Sequence, residues 1–143
     1  MSQIDHAQIV AASGDAIVVS DAHGLITVWN AAATRLFGFT ETEALGQSLD
    51  IITPERHRQR HWEGYHKTVA TGITKYGTEL LRVPAINKAG EQLSVAFTVA
   101  LLFDAARKVT GVLAVMRDET KRFKEERELR KRIAELEAQT RKP

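Results

Sequence analysis

Three histidines lie in a basic stretch near the middle of the chain, PERHRQRHWEGYHKTVATG, which runs from Pro54 to Gly72. A neutral imidazole can bind a metal ion, and it can exchange a proton near neutral pH. The stretch could therefore hold a metal or a cofactor through one of its histidines. It could also be the solvated face of a basic helix, or a contact for nucleic acid. The rest of the sequence has to separate these three interpretations.

The composition removes several kinds of chemistry. The 143 residues include no cysteine, which excludes disulfides, thiol nucleophiles, zinc–thiolate sites and iron–sulfur clusters. The 20 basic and 18 acidic residues nearly balance, which argues against a nucleic-acid partner. No apolar run approaches the roughly 18 residues of a membrane span, and the first residues lack the pattern of a signal peptide. We therefore expect a cytoplasmic protein with no membrane partner.

Other sites built from these residue types are poorly supported. His57 and His61 have the spacing of two zinc ligands on a helix, but the glutamate of an HExxH motif is missing and no third ligand is evident. Ser20, Asp21 and His23 are too close in sequence to form a catalytic triad, and no GxSxG motif occurs. We therefore expect no catalytic activity in this chain.

The hydrophobic pattern predicts an α+β domain. β-branched runs around the turn DAHG predict a hairpin, and Asn30 and Thr40 are typical residues at the start of a helix. We expect a longer helix from Pro54 to Gly72, with Thr53 as its N-cap. Alternating residues then predict three more strands, in LLRVPAI, LSVAFTVALLF and VTGVLAVMRD.

The last part of the chain has a different pattern. Leu129, Ile133 and Leu136 are separated by four and three residues in a highly charged segment, which is the spacing of a coiled-coil seam. The predicted organisation is an N-terminal flanking helix in 1–14, a domain in 15–118 and the start of a coiled coil in 119–143. We expect the chain to form a homodimer through its first and last helices.

Three motifs in this order resemble the PAS family. GLITVWNAAATRLFGFTETEALGQSL is similar to the opening of a PAS domain, and INKAGE to its later turn, with Ala89 in place of aspartate. MRDETKRF is similar to the signature that leads into the signalling helix, with Glu119 in place of an apolar residue. The resemblance implies the PAS fold, an antiparallel five-stranded sheet with short helices and one longer helix on one face, flanked by N-terminal and C-terminal helices.

The PAS resemblance also implies a function in signal transduction. PAS domains act mostly as sensor and dimerisation modules joined to histidine kinases of two-component systems, cyclic-dinucleotide enzymes or transcription regulators. Such an effector domain would be the downstream partner. Asp118 and Thr120 lie where the last strand meets the last helix. The resemblance implies that they transmit the signal between the sheet and that helix.

A narrower resemblance concerns haem-binding PAS sensors of the FixL and Dos type. Their axial ligand lies in P-x-x-x-R-x-x-H, which Pro54, Arg58 and His61 satisfy here. This implies His61 as the ligand of the haem iron, with His57 on the same helical face and Leu113 pointing inward from the last strand. The further cofactor-binding residues implied are Tyr65, Lys67, Lys75, Leu81, Phe97, Val99 and Val115.

Leu81 occupies the place of the distal arginine in this comparison, and Arg82 should point to the opposite face of its strand. A haem pocket without that donor would hold oxygen poorly. Carbon monoxide, nitric oxide or a redox change would then be the sensed event. Flavin is disfavoured, because the flavin motif NCRFLQ corresponds to RHRQRHW. The alternative is a cofactor-free module for homodimerisation and protein–protein interaction, or a pocket for another small molecule.

Overall fold

The computed structural model describes residues 3–74 and 78–141. The helices are α1 (His6–Ala12), α2 (Ala31–Phe37), α3 (Glu41–Ala44), α4 (Arg58–Thr71) and α5 (Thr120–Thr140). Two 3-10 turns, Leu49–Ile52 and Glu55–His57, precede α4. The strands are β1 (Ala16–Ser20), β2 (Ile26–Trp29), β3 (Leu81–Ile86), β4 (Gln92–Phe103) and β5 (Val109–Asp118).

The strands form one antiparallel sheet in the order β2-β1-β5-β4-β3. This confirms the predicted α+β fold with five antiparallel strands. β5 joins the two halves of the sheet, because it pairs with β1 on one side and with β4 on the other. Pro84 lies in β3 at the edge of the sheet, where a residue without an amide hydrogen costs little.

The register divides the sheet into an inner and an outer face. Ala114 lies between Val18 and Val99 on neighbouring strands; Val18 and Ala114 belong to the hydrophobic core, and Val99 packs against it. Leu113, one residue earlier, lies between Val19 and Ala100. Successive side chains of a strand point to opposite sides. Residues in register with Ala114 therefore form the inner face under the helices, and those in register with Leu113 form the outer face.

Asn30 connects three elements at the start of the helix cluster. Its Oδ1 accepts hydrogen bonds from the backbone nitrogens of Ala33 at 3.0 Å and Ile17 at 2.9 Å. Its Nδ2 donates to the backbone oxygens of Val10 at 2.9 Å and Asp15 at 3.1 Å. The predicted cap of α2 is confirmed, and the same buried side chain also fixes the end of α1 against β1.

A capping box begins α3 at Thr40, the residue that the sequence predicts at the start of this helix. Thr40 and Glu43 each accept a hydrogen bond from the other's backbone nitrogen. Lys88, in the turn between β3 and β4, forms an ion pair with Glu43. Hydrogen bonding to Lys88, and then to the Thr40 backbone, lowers the pKa of Glu43 from 4.5 to about 2. The ion pair holds α3 to the hairpin on the far side of the sheet.

The long helix begins later than predicted. Residues Glu55–His57 form a 3-10 turn, and α4 starts at Arg58. Thr53 is not its N-cap, because the Thr53 hydroxyl donates to the backbone oxygen of Leu49 at 2.9 Å and closes the preceding turn. The predicted end is confirmed, since Gly72 has φ +67° and takes the left-handed conformation that glycine tolerates.

Candidate ligand-binding site

α4 carries a cluster of aromatic and imidazole rings. The ring centroid of His61 lies 4.7 Å from that of Trp62 and 5.8 Å from that of Tyr65. His66 stacks on Trp62 at 5.7 Å. Residues three and four apart share one face of a helix, which explains why His61 and Tyr65 are neighbours. The cluster lies where the sequence analysis places the ligand.

Tyr65 anchors α4 to the end of β1. It is the buried residue of this helix, at 8% exposure. Its hydroxyl donates to the backbone oxygen of Asp21 and lies 2.8 Å from the Ser20 hydroxyl, which is left to act as the donor. Burial raises the pKa of Tyr65, so the phenol stays protonated. The hydroxyl of Tyr65, which was predicted to contact a cofactor, is therefore already used to hold α4 against β1.

Trp62 makes the second attachment of α4. Its Nε1 donates to Asp50 Oδ1 at 2.8 Å. The indole ring covers Gly24, where an added Cβ would lie 2.1 Å from Trp62 Cη2. Gly24 also has φ +82°, so both its backbone conformation and the close approach of the indole require glycine. The indole of Trp62 therefore packs directly against the turn between β1 and β2.

His61 is held between these two attachments without a polar partner of its own. Its Nδ1 is buried, and the residues that the structure describes offer it no hydrogen bond. Burial lowers the pKa of His61, although Asp50 partly opposes the shift. The side chain is therefore a neutral imidazole near pH 7. An unpaired buried polar atom costs about 1–3 kcal/mol, so a ligand that engaged this nitrogen would remove a penalty.

These properties fit a side chain that would hold a metal-containing cofactor. A neutral imidazole with an unpaired ring nitrogen is the form of histidine that binds iron. Within 3–74 and 78–141, no group of three histidine, aspartate or glutamate side chains could hold a metal ion. The described side chains alone would therefore not complete the ligand set of a metal ion bound to His61.

Three of the predicted strand residues lie on the inner face. Leu81 is directly opposite Phe97 in the pairing of β3 with β4. Phe97 and Val99 are partly buried and pack against the core. Arg82 is exposed and follows Leu81 directly in β3, so the two side chains point to opposite faces of the sheet. Leu81 lies on the inner face, and the guanidinium of Arg82 does not.

The prediction that Leu113 faces inward is wrong, and Val115 lies with it on the outer face. Met116 pairs with Phe97, and Ala114 with Val99, which turns the even-numbered residues of β5 toward the helices. The sequence does not reveal this parity, because both sets are apolar. Leu113 and Val115 instead line an outer depression of about 270 Å³, beside Thr78, Thr98 and Ala100.

Two of the predicted binding residues on or beside α4 do not join the cluster. His57 was expected on the same face as His61, but it lies in the 3-10 turn before α4, and its Nε2 accepts from Arg56 Nε at 3.2 Å. The helical spacing from His57 to His61 is lost there. Lys67 is exposed. Lys75, the remaining basic residue proposed for the site, lies outside the described residues.

The predicted transmission residues form a hydrogen-bonded junction. Asp118 Oδ1 accepts from the backbone nitrogen of Thr120 at 2.8 Å. Thr120 Oγ1 accepts from the backbone nitrogen of Ser94 at 3.0 Å, and the Ser94 carbonyl accepts from Glu119 at 2.8 Å. The start of α5 is therefore fixed to β4, a neighbour of β5. Ser94 gave no signal in the sequence beyond its place in an alternating strand.

A second contact at this junction was also missed. Arg117 Nε and Nη2 donate to the two carboxylate oxygens of Asp15 at 3.1 and 3.2 Å. Asp15 lies between α1 and β1, so the ion pair joins the segments before the first strand and before the last helix. Residues 102 positions apart gave no pattern that could have predicted this pair.

Comparison with known proteins identifies the family. The family described as PAS fold matches residues 5–118, so the chain belongs to the PAS family, whose members are sensory domains of signalling proteins. The sensor protein FixL of Bradyrhizobium diazoefficiens is 51% identical over 47 residues, which are 33% of this chain and 9% of that protein. The chain matches only 9% and 12% of the lengths of the first two curated relatives, so it spans about a tenth of each.

Solved structures agree on the fold. A PAS domain from Colwellia psychrerythraea has a TM-score of 0.70 at 23% identity, covering 80% of this chain and 94% of that one. The PAS domain of the quorum-sensing receptor RpfR of Cronobacter turicensis, in complex with C12:0, has a TM-score of 0.58 at 17% identity, covering 76% and 97%. No helix in the described part of the chain is long and apolar enough to cross a bilayer.

Proposed function

We propose that this chain is the sensory module of a signal-transduction protein, and that it binds haem through His61. His61 would hold the iron, while Phe97 and Val99 would contribute apolar side chains from the inner face of the sheet. A bound haem supplies an iron centre that can take up a gas or change its oxidation state. The module itself would catalyse no reaction, and it would act on a downstream effector domain.

The observation that supports this proposal is the buried Nδ1 of His61 without a partner in the described structure. The short stretch of 51% identity to a FixL sensor protein and the match to P-x-x-x-R-x-x-H point in the same direction. Leu81 on the inner face adds a further expectation, because it cannot donate a hydrogen bond to a bound diatomic gas. Carbon monoxide or nitric oxide should therefore bind more readily than oxygen.

The test is the absorption spectrum of the purified full chain after addition of haem and removal of the excess. We expect a Soret band at a stoichiometry of one haem per chain, and we expect the His61→Ala variant to lose it. His6→Ala is the control, because it removes an exposed imidazole on α1, outside the ring cluster of α4. A band that persists in His61→Ala, or its absence from the unaltered chain, would contradict haem binding through His61.

A second candidate is a cofactor-free PAS module for dimerisation and protein contacts. It is favoured by the hydrogen bonds of Tyr65 to Ser20 and Asp21 and of Trp62 to Asp50, which tie α4 to the rest of the domain. A haem would have to enter beside these attachments. If the spectrum shows no Soret band while the chain forms a stable homodimer, this second function is the one supported.

Both candidates include a homodimer and a C-terminal helix that passes the signal on. The exposed apolar residues of α1 and α5 support this part of the proposal. They include Ile4 and Ile9 around the first helix, and Phe123, Leu129, Ile133 and Leu136 along the last one.

A further inference from the structure

A groove lies between the 3-10 turn before α4 and the end of β3. It has a volume of about 640 Å³, and its lining residues are Pro54, Glu55, Arg56, Arg58 and Ile86. Sites that bind small molecules usually have volumes of roughly 300–1,000 Å³. None of these lining residues belongs to the ring cluster of α4 as the described structure has it. The groove is therefore a second candidate site, separate from His61.

The guanidinium of Arg58 is fixed at one wall of the groove by backbone oxygens. Its Nε donates to the oxygen of Thr53 at 3.1 Å, and its Nη2 donates to that of Asp50 at 3.3 Å. The distance from Nε to the Asp50 carboxylate is longer, at 3.9 Å, and the same Oδ1 already accepts from Trp62 Nε1. Because a guanidinium has five N–H donors, Arg58 keeps donors for a further acceptor.

Arg56 brings a second guanidinium to the groove, and its partners are an imidazole nitrogen and an amide oxygen. Its Nε donates to His57 Nε2 at 3.2 Å, and its Nη2 donates to Gln92 Oε1 at 3.4 Å. Gln92 pairs with Ile86 in the register of β3 with β4. The Arg56 side chain therefore reaches from the 3-10 turn to the strands on the other side of the groove.

The remaining walls of the groove are one acidic and two apolar side chains. Glu55 is exposed, and in the part of the chain that the structure describes it forms no ion pair with either arginine. The charges of the two arginines are therefore available to a bound anion. Pro54 is buried and Ile86 is half-buried. Two guanidiniums beside apolar side chains fit a negatively charged head that is joined to an apolar body.

We propose that this groove binds a small organic carboxylate. The carboxylate accepts hydrogen bonds from Arg56 and Arg58, and the apolar body packs against Pro54 and Ile86. A carboxylate matches the planar fork of a guanidinium, and such charge-assisted hydrogen bonds are about twice as strong as neutral ones. No side chain caps the start of α4, so the bound ligand would join this end of the helix to β3. Haem binding through His61 is not required for this site.

The test is a titration of the haem-free full chain with octanoate at low ionic strength, followed by the NMR shifts of the backbone amides. We expect saturable shifts that are largest at Glu55, Arg56, Arg58 and Ile86. Acetate, which lacks the apolar body, and 1-octanol, which lacks the charge, should each bind about tenfold more weakly. Equal affinity for octanoate and either of these two probes would overturn the proposal. The absence of saturable shifts with octanoate in the millimolar range would overturn it as well.

Variants of the charged lining residues test which side chains hold the carboxylate. Arg56→Gln and Arg58→Gln should each raise the dissociation constant for octanoate about tenfold. Arg56→Gln leaves the contacts of Arg58 with the preceding turn intact, so it tests the site without loosening that turn. Glu55→Gln should lower the dissociation constant about threefold, because it removes a repulsive charge.

Arg60→Gln is the matched control, because Arg60 is exposed on α4 and does not line the groove. An equal effect of Arg56→Gln and Arg60→Gln would contradict the proposed site, as would weaker binding after Glu55→Gln. The Soret band reports on His61 separately. Octanoate binding without a Soret band would support the groove and contradict haem binding, while a Soret band without octanoate binding would do the reverse.

Discussion

The two helical parts on the inner face of the sheet are held in contrasting ways. α2 and α3 have only seven and four residues, yet they contain Ala33, Phe37 and Ala44, each with 0% exposure. α4 has 14 residues, of which only Tyr65 is buried. Helix length therefore says little about how firmly a segment is attached to this domain. The number of buried side chains is the better guide.

The ends of the helices show the same contrast. Asn30 and Thr40 cap α2 and α3. The backbone oxygen of Phe37, at the end of α2, accepts a hydrogen bond from the backbone nitrogen of Lys88 at 2.8 Å. α4 follows directly on a 3-10 turn, and no side chain caps its first residues. Its polar attachments are made by Trp62 and Tyr65 and by Arg58, which donates to the backbone oxygens of Thr53 and Asp50. We infer that α2 and α3 form a fixed platform, while α4 is a cover that fewer buried side chains hold in place.

The largest expected effect follows from removing the centre of the platform. Phe37→Ala should lower the free energy of unfolding by about 3–5 kcal/mol, because it removes a fully buried ring and leaves a cavity. The ring also packs against Trp29 at a centroid distance of 5.6 Å. Urea denaturation followed by Trp fluorescence measures the change. Leu45→Ala, at a 40% exposed position beside α3, is the control and should cost far less. Equal losses would contradict the idea of a fixed platform.

A smaller effect is expected from loosening the cover. Tyr65→Phe keeps the ring but removes the hydroxyl that joins α4 to Ser20 and Asp21. The free energy of unfolding should fall by about 1–2 kcal/mol, because buried hydrogen-bonding groups lose their partner. Hydrogen exchange should accelerate in α4 and stay unchanged in α2.

Ser20→Ala provides the matched test of this hydrogen bond from the sheet side. It should accelerate exchange in α4 to a smaller degree, because the bond from Tyr65 to the Asp21 carbonyl remains. Faster exchange in α2 in either variant would show that the cover and the platform open together.

The smallest effect concerns the ion pair that ties α3 to the hairpin. The pKa of Glu43 should be about 2, and Lys88→Ala should raise it toward 4.5. A carboxyl whose pKa is lower in the folded state stabilises the fold above its unfolded pKa, and this contribution is lost as the pH falls through the folded value. NMR titration of the Glu43 side chain measures the shift. A pKa unchanged in the variant would assign the effect to the Thr40 backbone instead.

Much of the fold could be predicted because local chemistry decides it. Asn30 and Thr40 cap helices through backbone nitrogens three residues away, and Gly72 ends α4 through its own backbone conformation. The bounds of β5 follow from a run of apolar residues between the DAARK loop and a charged helix. Each of these features depends on neighbours in sequence, which a single sequence contains.

The errors concern features that depend on distant residues. β5 is apolar on both sides, so only its pairing with β4 shows that Ala114 faces inward and Leu113 outward. His57 appeared to continue the face of His61, but the 3-10 turn before Arg58 breaks the helical spacing. The attachments of Trp62 to Asp50 and of Arg117 to Asp15 are likewise set by the tertiary fold.

The ion pair between Asp15 and Arg117 has a mechanical consequence. It ties the chain just before the sheet begins to the chain just before the sheet ends, and Asn30 ties α1 to the same place through Val10. The ion pair lies next to the pairing of Ala16 with Met116, so the chain enters β1 and leaves β5 at the same end of this pair of strands. The two flanking segments of the domain are therefore joined to each other by side chains as well as by the sheet.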